Sequence, residues 1–154
     1  MKKLGKSSKK GFTLVELIVV IVILAVLAAM LVPALIGYID RARKEKDYQA
    51  ASVVYAAAQA ALTEAYAKGY IKDKASATSI TNTSEFGPEG GTKTNYGDVV
   101  YDLAGVAKTK VTAFSFNATN AIITDGTVTI VNGGSTAVTY ELKSDGSWGV
   151  KTTT

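Results

Sequence analysis

Apolar and polar positions divide the chain into three regimes. From Leu17 to Ile36 every residue is apolar, a run of twenty without a charge. As a helix rising about 1.5 Å per residue, it matches a hydrocarbon core of about 30 Å. From Asp40 the pattern turns amphipathic. Tyr48, Ala51, Tyr55, Ala58, Leu62 and Ala65 recur at alternating three- and four-residue spacing, widened by Val54 and Ala61, while Glu45, Gln49, Ser52, Gln59 and Thr63 mark the opposite face. Near the C-terminus the period falls to two. Val138, Tyr140 and Leu142 alternate with Thr139, Glu141 and Lys143, and Trp148 and Val150 continue the pattern after Asp145-Gly146.

The first two regimes read as one helix from Thr13 to Lys68, fifty-odd residues and about 80 Å long. Its second half is rich in alanine, a strong helix former with little bulk, so another surface can approach closely. Gly69 supplies a C′ stop, and Lys68 complements the dipole at that end. Pro33 lacks an N–H and clashes with the carbonyl four residues back, and Gly37 follows it. A kink or a loosened turn is expected around residues 29–37.

Residues 70–97 read as a connection, dense in Ser, Thr, Asn and Gly with Gly87-Pro88 and Gly90-Gly91 as breakers. Val99 to Leu103 fits a strand or a short helix. Val111 to Phe116 reads as a strand, and Asn120–Thr124 and Thr127–Val131 read as a hairpin turning at Asp125-Gly126. Four or five antiparallel strands with one apolar face need a cover, which the amphipathic half of the helix offers. The predicted class is α+β: a long helix, first hydrophobic and then amphipathic, with a C-terminal antiparallel sheet packed on its second half like a lollipop.

A chain of 154 residues with 47% hydrophobic composition suits one compact domain plus an appendage. It has no cysteine, so no disulfide staples it. The net charge of +4 invites a nucleic-acid reading until its location is considered. Five of the 17 basic residues, Lys2, Lys3, Lys6, Lys9 and Lys10, precede Gly11, leaving 12 against 13 acids, a formal −1. No direct nucleic-acid partner is therefore expected. A basic stretch survives at Arg41, Arg43, Lys44 and Lys46, interleaved with Asp40, Glu45 and Asp47, and reads as a solvated mixed-charge turn at the membrane boundary. The leading lysines place the N-terminus in the cytoplasm and the bulk of the chain outside.

Glu16 lies at the start of the apolar run, where a carboxylate is disfavoured unless it finds a partner. One partner is local: with Thr13 as N-cap, Glu16 three residues later completes a capping box. The other is a positive charge on another chain, or an α-amino group made by cleavage just upstream. A secretory signal peptide shares the basic leader, but its apolar region is about 7–15 residues and ends at a small-residue site. Here the run is longer and the helical pattern continues past it.

The sequence KKGFTLVEL followed by this unbroken apolar run resembles the N-terminus of type IV prepilins and of the related pseudopilins of type II secretion and competence systems. The resemblance covers Lys9 to Tyr38, about a fifth of the chain. It implies that a prepilin peptidase cuts between Gly11 and Phe12 and that the new N-terminus, Phe12, is methylated. It assigns filament assembly to Glu16, with Thr13 beside it, since the family's glutamate neutralises the terminal amine of a neighbouring subunit. Pro33 fits the family's helix-bending proline. The implied layout is a leader peptide at 1–11, a transmembrane or filament-core half-helix at 12–39, an amphipathic half at 40–69, a connecting region at 70–97 and a β region at 98–154. The implied partners are the chain itself in a helical homopolymer, the prepilin peptidase, an assembly platform with its ATPase motor, and membrane lipid before assembly. Many relatives close a C-terminal loop with a disulfide, and this chain cannot.

Enzymatic chemistry has no foothold. Without histidine or cysteine there is no imidazole acid/base catalysis, thiol nucleophile or usual zinc site. No phosphate-binding glycine loop or serine elbow appears, and no cofactor is expected. Asp125 and Asp145 precede glycines, and turn roles explain them better than calcium. The sequons at Asn82 and Asn117 read as chance, and the eight tyrosines as packing. The expectation is a structural subunit, the major pilin of a pilus-like surface filament, with a pseudopilin of a secretion or DNA-uptake system as the alternative. A monomeric anchored binding protein would instead keep its leader.

Overall fold

The computed structural model describes residues 11–71, 78–131 and 136–152. The chain forms two compact units, residues 1–43 and 44–154. Helix α1 (Leu14–Ala67) contributes to both.

In the first unit α1 continues through Pro33 and Gly37. Pro33 has no N–H to donate, so the Ala29 carbonyl lacks its usual intrahelical donor. Every residue from Gly11 to Arg43 is exposed, including Phe12 at 86% and Met30 at 73%.

In the second unit the expected stripe is the core. Ala51, Val54, Ala58, Ala61, Leu62 and Ala65 of α1 are buried, with Tyr48 and Tyr55 packed against them. The helix ends as its sequence prescribes. Gly69 takes φ +73°, its N–H donates to the Tyr66 carbonyl at 3.0 Å, and the Tyr70 N–H donates to the Ala65 carbonyl at 2.9 Å. This pair of bonds is a Schellman close, and it needs the left-handed residue that glycine supplies most cheaply.

The stretch expected as a connection carries structure of its own. Strand β1 (Thr78–Thr81) joins the main sheet, and β2 (Glu85–Phe86) pairs with β3 (Thr94–Asn95). Short polar strands such as Thr-Ser-Ile-Thr lack a long alternation and look like loop in sequence. Ile80 of β1 is fully buried, paired with Phe116. The undecided segment is helical: α2 (Tyr96–Ala104) starts where the Asp98 N–H donates to the Asn95 side-chain oxygen at 3.1 Å.

The sheet is antiparallel in the order β1-β4-β5-β6-β7, with β4 (Val111–Thr119), β5 (Ile122–Val131), β6 (Ala137–Leu142) and β7 (Trp148–Val150). One expected turn is wrong. Strand β5 runs straight through Asp125-Gly126, and the chain instead reverses at Asn120-Ala121, both at positive φ (54° and 64°). Positive φ at both central residues is the requirement of a tight hairpin. Gly126 serves close approach: a Cβ there would lie 2.3 Å from Phe116 Cδ1 and 2.6 Å from the Ser115 carbonyl oxygen. Asp125 faces Asn117 across the strand pair and accepts from its Nδ2 at 2.6 Å.

Gln59, expected on the polar face, is half-buried and clasps that turn. Its Nε2 donates to the Ala121 carbonyl at 2.8 Å, and its Oε1 accepts from the Ile123 N–H at 2.8 Å. One side-chain amide thus ties α1 to the β4–β5 hairpin. Gln59→Leu keeps the bulk and strands both backbone groups, so a loss of about 2 kcal/mol in the urea unfolding free energy is expected.

Aromatic rings fill the space between helix and sheet. Phe114 and Phe116 stack at 5.6 Å, Tyr55 meets Phe116 at 6.1 Å, and Tyr96 stands edge-on to Phe86 at 5.0 Å. The Tyr96 hydroxyl donates to the Ala58 carbonyl. Asp47 departs from the solvated run expected for it: it is 2% exposed and accepts from the Tyr140 hydroxyl at 2.7 Å.

Burial pushes the Tyr96 and Tyr140 phenols above their ordinary value, and the adjacent Asp47 carboxylate adds to the rise at Tyr140. A phenol whose folded pKa exceeds its unfolded value of 10.0 contributes stability that is complete below that pH and lost above it. Thermal stability should therefore be flat on the alkaline side up to about pH 10 and fall beyond it. Tyr140→Phe should lessen that fall when melting is followed against pH.

Candidate assembly site at the helix N-terminus

Gly11, Phe12 and Thr13 precede the first helical residue, and all three are exposed. Among the described residues no atom outside the adjoining ones lies within 4 Å of where a Gly11 Cβ would project. The bond between Gly11 and Phe12 therefore sits in accessible, non-helical chain, the kind of backbone a peptidase can engage.

Thr13 and Glu16 form a capping box. The Thr13 N–H donates to Glu16 Oε2 at 2.8 Å, the Thr13 hydroxyl donates to the same oxygen at 2.7 Å, and the Glu16 N–H approaches Thr13 Oγ1 at 3.3 Å. The Leu17 N–H donates to the Thr13 carbonyl at 3.2 Å, which makes Thr13 the N-cap. The local reading of Glu16 holds, and it leaves room for the other: both bonds fall on Oε2, and Oε1 accepts none among the described residues. A second donor, such as a neighbour's ammonium, has an oxygen to take. The negative charge also lies at the positive end of α1.

Beyond this box the helix offers only apolar residues from Leu17 to Ile36. The window of highest hydropathy in α1 has no buried residue, and by length and composition it is able to cross a membrane. Ala25, Ala28, Ala29 and Ala34 interrupt the larger side chains, and such small residues let helices approach closely. Pro33 and Gly37 lie in the same exposed stretch, some five turns from Glu16.

The other sequence candidates lie elsewhere and have local partners. Asp145 accepts from the Ser147 N–H at 2.9 Å and its hydroxyl at 2.6 Å, contacts that hold its carboxyl below the ordinary range. Asp125 pairs with Asn117, which is also the second sequon's asparagine. Among the described residues no group of three or more His, Cys, Asp or Glu is placed to hold a metal.

Neither curated proteins nor solved structures returned a match to the chain. The family model described as the prokaryotic N-terminal methylation motif does match, over residues 6–32, which takes in Gly11, Phe12, Thr13 and Glu16. The chain thus carries the class III N-terminal signal of type IV pilins and pseudopilins.

Proposed function

We propose that this chain is the major subunit of a type IV pilus-like extracellular filament. In this reading a prepilin peptidase removes residues 1–11, the Phe12 amine is methylated, and the subunit waits in the cytoplasmic membrane. An assembly platform and its ATPase motor then transfer it into a helical polymer of identical copies.

The observation that carries the reading is the union of the motif with an exposed apolar surface from Phe12 to Ile39 that opens on a capped carboxylate. Such a surface is stable only in lipid or against other apolar surface. Leaving lipid costs little if the same helix face then packs on identical neighbours, because apolar burial is exchanged for apolar burial. Glu16 makes that exchange selective. Burying it without a positive partner is disfavoured by several kcal/mol, so only a neighbour stepped to present its terminal amine is accepted. Pro33 and Gly37 supply a point where the packed helix bends or loosens, in keeping with the missing donor at Ala29. The family's motif marks structural subunits, and the role proposed here is accordingly structural rather than enzymatic.

The test is deletion of this chain followed by electron microscopy of the cell surface and assay of secretion. Loss of long surface filaments, restored by the intact sequence, supports the major-pilin role. Intact filaments with lost secretion or DNA uptake would assign the chain to a pseudopilin fibre instead.

A further inference from the structure

The far end of the apolar run holds charges that lie outside the matched motif, which ends at residue 32. Tyr38 lies two residues past Ile36 and Arg41 five, so along the helix they sit about 3 and about 7.5 Å beyond the last residue of the run. That is headgroup depth for a span whose apolar core fits the hydrocarbon. Tyr38 and Arg41 are three apart and share a face of α1. Both are exposed, Tyr38 at 72%.

The neighbouring charges are not equivalent. Arg43 reaches back to Asp40, 3.8 Å away, and that pair is well exposed. Arg41 has no ion pair among the described residues. A guanidinium without a carboxylate, about one helical turn from an aromatic residue at the water–lipid boundary, is suited to a phosphodiester: its planar fork takes two oxygens, and the phenol anchors the level.

We propose that Tyr38 and Arg41 form a headgroup site for anionic phospholipid in the outer leaflet, holding the unassembled subunit at a fixed depth. The proposal rests on reading residues 17–36 as a membrane span. It adds that the outer end of that span selects lipid by charge.

The test uses the full chain with its leader, inserted into vesicles of phosphatidylcholine mixed with phosphatidylglycerol. The chain is extracted in mild detergent and its co-purifying lipids are weighed by mass spectrometry. The leader lysines are common to all samples, so differences report on Arg41. Wild-type chain should be enriched in phosphatidylglycerol, and Arg41→Gln should lower that enrichment about fivefold, the worth of one cation near an anionic surface. Excess inorganic phosphate should not displace the lipid. Unchanged enrichment in Arg41→Gln overturns the proposal, as does release by phosphate. Unchanged enrichment with fewer filaments would instead give Arg41 a carboxylate on a neighbouring subunit. Chain recovered outside the vesicles would refute the span itself.

Discussion

Glu16→Ala is expected to yield a chain that is cut and membrane-held as usual but forms no filaments. The substitution removes two things at once, and their sizes decide which matters. As a helix cap, Glu16 contributes about 1 kcal/mol at one end of a very long helix, too little to unfold it. As a buried counter-charge it is worth more, because a neighbour's ammonium left unpaired in an apolar core is disfavoured by about 3–5 kcal/mol. At about 1.4 kcal/mol per tenfold, that is two orders of magnitude or more in assembly. Glu16→Gln separates the effects, since an amide oxygen still accepts from the Thr13 N–H and hydroxyl but carries no charge. It should assemble as poorly as Glu16→Ala, scored by filament yield in sheared material alongside the amount of processed chain in membranes. Normal filaments from either variant would remove Glu16 from assembly.

The second large effect concerns the folded unit 44–154. Gly126→Ala should destabilise it by about 3 kcal/mol, because the new Cβ meets the Phe116 ring and the Ser115 carbonyl and strand β5 must move off β4. Ala121→Gly, five residues away, should be neutral or stabilising. Ala121 sits at φ 64°, a conformation that glycine adopts without strain. Chemical denaturation of the two variants reads this directly. A turn at Asp125-Gly126 would cut the cost of Gly126→Ala to about 1–2 kcal/mol, the strain of an alanine at positive φ, and make Ala121→Gly mildly harmful. The contrast therefore tests the register of the hairpin as well as its energy.

These two regions mark how far the sequence could be read. The long helix was legible because its signals agree: an unbroken apolar run, then a stripe at helical spacing, then Gly69 in a left-handed close. Asp47 was misassigned through its neighbours Lys44, Lys46 and Glu45, although Ala50, Ala51 and Val54 lie three, four and seven positions on. Extending the buried stripe back one turn lands on Asp47, and Tyr140, fixed on the inner face of β6 by its alternation, is the partner that burial demands. The turn at Asn120-Ala121 was hidden because alanine is an unusual residue there and Asp125-Gly126 carries the stronger local signal. The Gln59 clasp decides between them, and it is a long-range contact across 62 positions that no local pattern encodes. Strand β1 was missed for a similar reason, since its place beside β4 depends on the sheet rather than on its own four residues.

At the N-terminus the balance was different. Thr13 and Glu16 are three apart, so their bond follows from spacing alone, and the structure adds that both contacts use one carboxylate oxygen.

The most direct test of the account is intact-mass spectrometry of the protein from its native membrane and from sheared surface material. A chain beginning at Phe12 and carrying one added methyl, present in the sheared fraction, is the predicted result. A chain that begins at Met1 or Lys2 and is confined to membranes would contradict it, and would leave Gly11, Phe12 and Glu16 without the roles assigned to them.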